Sequence, residues 1–378
     1  MQIKELSAKA ISDSRGKPTI EVSINGQKAS SPSGTSAGKH ETPSFHKNIK
    51  WNIKAINNLK ELKEIKINGF ADLHIIENII KQKFKFRDVK QFGANALFAL
   101  ESAILKALAK HNNKELWEII NPNAKRIPIP LGNAVGGGLH SHNSHAPTFQ
   151  EFLLIPKAKT IKENVKIMHS IYNKLKSLVK AKGKNYEGAW QTQLNEEEIL
   201  KILSKFKNTK IGIDVAASSF YCDNSYCYNN NKSLDKEMQI KYINSLISDY
   251  NILYIEDPLQ EEDFSGFSKI RKKALVCGDD LTVTHLDRLQ KAIKKHSINS
   301  IIIKPNQNGS LLELHEIIKL CKRNKIKIIL SHRSGETMDS AIADYAFAFQ
   351  TDFIKCGIST PFREVKLNRL IEIEKGLN

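Results

Sequence analysis

The 378-residue sequence predicts an α+β domain over residues 1–126 followed by an α/β barrel over residues 127–378. Three observations carry this reading. The first third joins a hairpin-like opening to amphipathic helical patterns. The texture then changes at Ile127-Pro128-Ile129-Pro130 and Gly136-Gly137-Gly138. Beyond that point short β-branched runs alternate with helical stretches, the pattern of strands in a parallel sheet with helices packed on it. At 40% hydrophobic residues, set in short runs between turns, the chain has the material for a core.

In the first third, Ile11 to Val22 reads as a turn (Asp13-Ser14-Arg15-Gly16) followed by an alternating segment, hence a hairpin. Small and polar residues dominate Ser30 to Thr42, which predicts a mobile loop. Apolar residues at three- and four-residue intervals predict helices over Ile49 to Ile65, Ala71 to Phe84 and Gly93 to His111. Met1 to Ala10 has no apolar h-region, and no run is long enough to span a bilayer, so a cytoplasmic, membrane-free protein is expected. Five cysteines, odd in number and without a CxxC pair, read as reduced, mostly structural thiols. A formal charge of +18 favours anionic partners, a phosphorylated acid as readily as nucleic acid. Much of the excess is lysine on helix-like stretches such as Lys174 to Lys180, which reads as a solvated face. Zinc-finger spacing and RNP-like aromatics are absent, so nucleic acid is not indicated by motif.

Six apolar runs of the second part end in chemically capable residues: Ile211 to Asp214, Leu253 to Asp257, Leu275 to Asp280, Ile301 to Lys304, Ile328 to Arg333, and Phe353 to Lys355. Apart from the first interval, their polar ends recur at the length of one strand plus one helix. Successive parallel strands of a closed barrel would deliver all six ends to one rim. Asp214, Glu256 and Asp279 then supply three carboxylates, a hard oxygen set that suits Mg²⁺ better than zinc. Lys304 sits beside them, where Lys355 and the metal charge would disfavour its protonated form and fit it as a general base. Proton removal next to a carboxylate builds charge that fixed cations must stabilise. Glu151 and Glu187 are the candidate acids, since paired carboxylates push their pKa values apart. Arg333 and Ser334, at the start of a helix-like stretch, offer a guanidinium fork, a hydroxyl and backbone N–H groups to a phosphate.

Taken in order, several segments resemble motifs of the enolase family. They are Asp13-Ser14-Arg15-Gly16, Pro32 to Gly38, Phe92 to Ala96, Gly136 to His140, Gln150-Glu151-Phe152, Ile255 to Pro258, Gly278 to Thr284, Lys304-Pro305-Asn306-Gln307 and Ser331 to Thr337. The resemblance runs from about Ile11 to Ile373, and the Gly-Gly-Gly-x-His form is similar to archaeal members. It implies a TIM-like barrel whose first strands are atypical in direction and order, in a homodimer or larger ring. It also implies Mg²⁺-dependent dehydration of 2-phosphoglycerate to phosphoenolpyruvate, with two Mg²⁺ per site. Asp214, Glu256 and Asp279 would hold the first ion, and Ser36 would close on the second with substrate. Lys304 would be the base at C2 and Glu187 the proton donor to the C3 hydroxyl, with Glu151 and Gln150 beside it. His140 would arrive on a second loop, Arg333 and Ser334 would take the phosphate, Lys355 the carboxylate, and His332 would line the pocket.

The sequence departs from the family at Tyr186, where Asp usually precedes the acid glutamate, at Lys39 to Pro43, at Ile358 to Glu364, which lacks the usual arrangement of arginines, and in its basic balance. Tyr186 and the +18 charge leave a second reading, an impaired enolase-fold protein with a binding or regulatory role. A third, a related enzyme acting on a sugar acid, is weakened by Ser331-His332-Arg333-Ser334, which suits phosphate better than polyol hydroxyls.

Overall fold

The structure, a computed structural model, describes residues 1–34, 39–141 and 146–377, the His140 side chain excepted. Strands β1 (Leu6–Ser12), β2 (Pro18–Ile24) and β3 (Gln27–Ser30) form an antiparallel meander. In β2, Ile20, Val22 and Ile24 are fully buried on one face, the period-2 pattern of a sheet covered on one side. The expected turn is closed by Asp13, whose Oδ1 accepts the backbone N–H of Arg15 at 2.8 Å and of Lys17 at 2.9 Å.

The helix predicted over Ile49 to Ile65 is shorter. Helix α1 (Ile49–Asn57) is capped by Asn48, and Asn58 turns back to donate to the Lys54 carbonyl at 2.9 Å, after which a 3₁₀ turn (Lys60–Glu64) follows. Helices α2 (Leu73–Phe84), α3 (Ala94–His111) and α4 (Leu116–Ile120) complete this part. Every residue of α3 from Ala94 to Leu105 is buried, as befits a helix enclosed on all sides. It packs on β2 and β3 and on the Lys304-Pro305-Asn306-Gln307 segment.

The second part alternates strands and helices: β4 (Ile129–Gly136), β5 (Glu151–Pro156), α5 (Ile161–Leu178), α6 (Glu196–Leu203), β6 (Thr209–Asp214), α7 (Lys236–Asp249), β7 (Tyr254–Glu256), α8 (Phe264–Phe267), β8 (Leu275–Gly278), α9 (Leu286–Lys294), β9 (Ser300–Ile303), α10 (Pro305–Asn308), α11 (Leu311–Arg323), β10 (Lys327–Ser331), α12 (Ala341–Ala348), β11 (Phe353–Gly357) and α13 (Pro361–Leu377). The strands neighbour one another in chain order, and β11 pairs with β4 to close an eight-stranded barrel. All pairings are parallel except those of β5, which is antiparallel to β4 and to β6. Because β5 runs backwards, its first residue, Glu151, lies at the rim where the other strands end, opposite Asp214 in register. A separate apolar cluster that includes Leu131, Leu153, Tyr254, Ile302 and Ile329 fills the barrel interior, so the rim sits on a packed floor.

The first part docks on the β10–α12 connection. The Ser14 N–H donates to the Glu336 carbonyl at 2.7 Å, Ser33 and Gly335 form an antiparallel bridge, and Lys106 pairs with Asp339 at 2.7 Å. A Cβ at Gly335 would lie 2.0 Å from Asp13 Oδ2 and 2.5 Å from Arg15 Nη2, so only glycine lets the Asp13-Ser14-Arg15 turn approach this closely.

One expectation is corrected here. Cys222 and Cys227 are joined in a disulfide across the short hairpin of residues 221–227, because antiparallel pairing brings their backbones within 6.6 Å. Cys277, Cys321 and Cys356 are free and buried, as anticipated for structural thiols. Among the described residues no helix is long and apolar enough to cross a membrane.

Candidate active site

The barrel rim carries a cleft lined by Gln150, Glu151, Glu187, Asp214, Asp279, Lys304, His332, Arg333, Ser334 and Lys355, with Gly34 and Glu41 reaching in from the first part. The strands fix these side chains in register. Asp214 ends β6 and Glu256 ends β7 directly beside it, Asp279 and Lys304 follow β8 and β9, His332 to Ser334 follow β10, and Lys355 lies in β11 opposite Ser331. Glu256 is fully buried beneath the cleft. Ser36 lies outside the described residues, as does the side chain of His140.

Two lysines gather the acids. The Lys355 ammonium lies 2.8 Å from Asp214 Oδ2, 2.8 Å from Glu256 Oε2 and 3.0 Å from Glu151 Oε2. Burial pulls its pKa down, but Asp214, Glu151 and Glu256 outweigh burial and hold it well above the ordinary value. Lys304 pairs with Asp279. Burial lowers the Lys304 pKa most, but Asp279, in contact with its ammonium, and then Glu256 raise it, and among the protein's own groups the net direction is upward. Arg333 and Lys355 do oppose the ammonium, but the carboxylate in contact with it wins. Asp279 is correspondingly held below the usual carboxylate range, since Lys304 overcomes the effect of burial.

Asp214, Glu256 and Asp279 are oxygen donors of the kind a hard divalent cation takes. Asp214 and Glu256 already bind a positive group, Lys355, and Asp279 Oδ1 is buried with no hydrogen-bond partner. Burial and then Asp214 raise Glu256 to about 8, so the cluster lacks positive charge even with both lysines in place. Among the described residues, the acids here whose oxygens approach closely enough to share an ion are Asp257, Asp279 and Asp280, not the expected set of Asp214, Glu256 and Asp279. Asp257, however, accepts the backbone N–H groups of Asp279 and Asp280 at 3.0 and 2.7 Å, so it shapes the β8 turn that aims Asp279.

Glu151, Glu187 and His332 form a second buried cluster. Burial raises the Glu151 pKa well above the usual range; Lys355 opposes this, while Glu187, with which it shares a hydrogen bond, and Asp214 push the same way. Burial and the neighbouring Glu187 thus favour a protonated carboxyl in this pair. Glu187 is set by its own turn, where Asn185 Oδ1 accepts the N–H groups of Glu187 and Ala189 at 3.0 and 2.9 Å and Gly188 takes φ +83°. Asn133 of β4 donates to Glu187 Oε2 at 3.0 Å, and His332 Nε2 lies 3.6 Å from the same oxygen. Tyr186 is 53% exposed and Glu187 3% exposed; Asn133 reaches Glu187 from β4 and His332 from the segment after β10. Burial depresses His332 well below its ordinary value, which keeps the imidazole neutral.

Arg333 and Ser334 lie in the cleft, but not at a helix start. Helix α12 begins only at Ala341, and the Arg333 N–H is taken by Glu336 Oε1 at 3.0 Å, so the expected helix-terminus contribution is absent. Ser334 Oγ instead accepts from Arg15 Nη1 at 3.1 Å, and its carbonyl accepts from Arg363 Nη2 at 2.9 Å. Glu41, Asn133, Asp257 and Arg363 were not singled out by sequence reasoning as site residues. Arg15 had a visible signal in its turn motif, whereas Asn133 and Arg363 become evident only once the barrel closes.

Comparison with known proteins agrees with this architecture. The model of the enolase N-terminal domain matches residues 3–120, and that of the enolase C-terminal TIM barrel domain matches residues 124–378. The chain is 37% identical to the enolase of the archaeon Methanosphaera stadtmanae, across 99% of this chain and 97% of that protein. It is 35% identical to the enolase of Archaeoglobus fulgidus, across 99% and 98%, and 34% identical to that of Ehrlichia ruminantium, across 100% and 97%. With both parts matched and its relatives covered almost end to end, the chain belongs to the enolase family, whose members are carbon–oxygen lyases.

Proposed function

We propose that this chain catalyses the Mg²⁺-dependent, reversible dehydration of 2-phosphoglycerate to phosphoenolpyruvate. The observation that carries the proposal is one cleft in which a lysine that follows β9, a hydrogen-bonded glutamate pair and an arginine are set around buried carboxylates. Asp214, Glu256 and Asp279 hold the first Mg²⁺, and Ser36 contributes to the second. Bound cations supply Lewis-acid stabilisation of charge on the substrate carboxylate. Lys355 fixes that carboxylate, Arg333 and Ser334 the phosphate, and Gln150, His332 and His140 line the remainder. Once Asp279 turns from it, Lys304 keeps Arg333 and Lys355 as neighbours, loses the contact that raises its pKa and takes the C2 proton. Glu187, hydrogen-bonded to Glu151 and steadied by Asn133, protonates the departing C3 hydroxyl.

In this reading residues 1–126 cap the site, residues 127–378 carry it, and the protein works as a cytoplasmic homodimer or larger ring. Asn133 from β4 and His332 from the segment after β10 stand beside Glu187, which supports an active enzyme over the impaired, regulatory alternative. The test is phosphoenolpyruvate absorbance from 2-phosphoglycerate with and without Mg²⁺. Activity that requires Mg²⁺ and is lost in a folded Lys304→Ala variant supports the proposal; a folded, inert wild type refutes it.

A further inference from the structure

Arg333 already holds an anion. Glu41, contributed by the first part of the chain, accepts from Arg333 Nη2 through Oε2 at 3.0 Å and Oε1 at 3.1 Å, with the two side chains 9% and 6% exposed. The contact is built rather than incidental. Gln307 Nε2 donates to Glu41 Oε1 at 3.0 Å, the Thr284 hydroxyl donates to Gln307 Oε1 at 2.9 Å, and Thr284 Oγ1 accepts the Lys304 backbone N–H at 3.0 Å. Asn306 Oδ1 takes the other arm of the guanidinium, Nη1, at 3.4 Å. Glu41 and Arg333 both line the cleft.

Both carboxylate oxygens share one nitrogen, so the two-pronged edge of the guanidinium is not used, and the pair is weaker than a fork-to-fork arrangement. A phosphate brings more charge and more acceptor oxygens to the same group, and Ser334 stands beside it. An anion that takes both arms of Arg333 exchanges with Glu41 at Nη2 rather than sharing it, since two anions on one buried nitrogen repel.

We infer that Glu41 is the resident counter-anion of Arg333 and sets the affinity of the site for phosphorylated acids, which bind by displacing it. This rests on Arg333 being the phosphate-binding group. The same displacement frees the Gln307 amide and so reaches, through Thr284, the backbone of Lys304.

The experiment is calorimetric titration of the full chain with inorganic phosphate, in parallel with KM for 2-phosphoglycerate, for the wild type, Glu41→Gln and Glu41→Asp. Gln is close in shape to Glu, which protects the fold, and Asp keeps the charge on a shorter stem that withdraws it from Nη2. Removing one charge-assisted contact from the competitor is expected to tighten phosphate on the order of tenfold in Glu41→Gln. KM should fall with it, and Glu41→Asp should move the same way by less. Weaker or unchanged phosphate binding in both variants overturns the inference, because Glu41 would then merely orient Arg333. Arg333→Gln separates the two layers. If it leaves wild-type phosphate binding intact, the inference falls together with the role given to Arg333. If phosphate binding needs Arg333 and tightens in Glu41→Gln while no dehydration occurs, displacement stands and the reaction assignment falls.

Discussion

Replacing Lys355 by Met tests the electrostatic frame of the rim. The ammonium is in contact with Asp214, Glu256 and Glu151, and all four side chains are at most 4% exposed. Met fills much of the lysine volume without charge, so the change leaves three buried carboxylates without their shared cation. Breaking a buried ion pair by removing one partner costs about 3–5 kcal/mol. Protonation moderates this, because Glu256 is already raised to about 8 and Glu151 well above its usual range. Unfolding entropy scales as roughly 2 cal/mol/K per residue, so for a chain of this length the penalty lowers Tm by about 4–6 °C in a chelator. Mg²⁺ should then raise the melting temperature further in Lys355→Met than in the wild type, since the ion takes up the charge deficit and stabilises the state that binds it. Differential scanning calorimetry with EDTA and with Mg²⁺ reads both effects. An unchanged Tm in EDTA, or a Mg²⁺ shift no larger in the variant than in the wild type, would refute the reasoning.

Other predictions concern docking, pH and the acid. A methyl group at Gly335 meets Asp13 and Arg15, so Gly335→Ala should loosen the first part from the barrel, seen as faster hydrogen exchange in residues 13–17 and a raised KM. Asp339 has its pKa lowered: burial would raise it, but Lys106 and the backbone N–H groups of Ala341 and Ser30 prevail. Its contribution to stability is therefore full above the unfolded value near 4 and is lost as pH falls through the lower folded value, and urea titrations should show a shallower acid limb in Asp339→Asn. Tyr186→Asp should change kcat less than about twofold, whereas Asn133→Ala, which strips a buried donor from Glu187, should lower it by about ten- to a hundredfold. Equal effects of these two changes would contradict the assignment of the Glu187 environment to β4.

The sequence revealed the parts of the fold that repeat. Each of the six apolar runs ending at Asp214, Asp257, Asp280, Lys304, Arg333 and Lys355 overlaps a barrel strand. Strands β4 and β5 were not located by residue pattern, because Pro128, Pro130 and the glycine run read as a boundary; only the family resemblance implied first strands of unusual direction. Their pairing depends on closure with β11 and β6, which no local pattern encodes. The interruption of the helix after Asn57 was equally hidden, since Leu59 and Leu62 continue the apolar spacing while Asn58 ends the helix by bonding back to Lys54. At the site, residue types at strand ends suggested the chemistry, but not who pairs with whom. The direction of the Lys304 shift depended on whether a cation or a carboxylate touched its ammonium, and only the structure puts Asp279 there. The same holds for Glu41 and Asn133, whose partners lie hundreds or tens of residues away. Cys222 and Cys227 read as reduced because the cysteines are odd in number and form no CxxC pair, whereas the hairpin brings these two together.

The most direct test of the account is exchange of the C2 hydrogen of 2-phosphoglycerate in D₂O with Mg²⁺, followed by proton NMR alongside phosphoenolpyruvate formation. If Lys304 removes that proton and Glu187 acts on the C3 hydroxyl, Lys304→Ala loses exchange and product together. Glu187→Gln continues to exchange while forming little product. Exchange that persists in Lys304→Ala, or that is absent from the folded wild type, would contradict the assignment of base and acid to the two sides of this cleft.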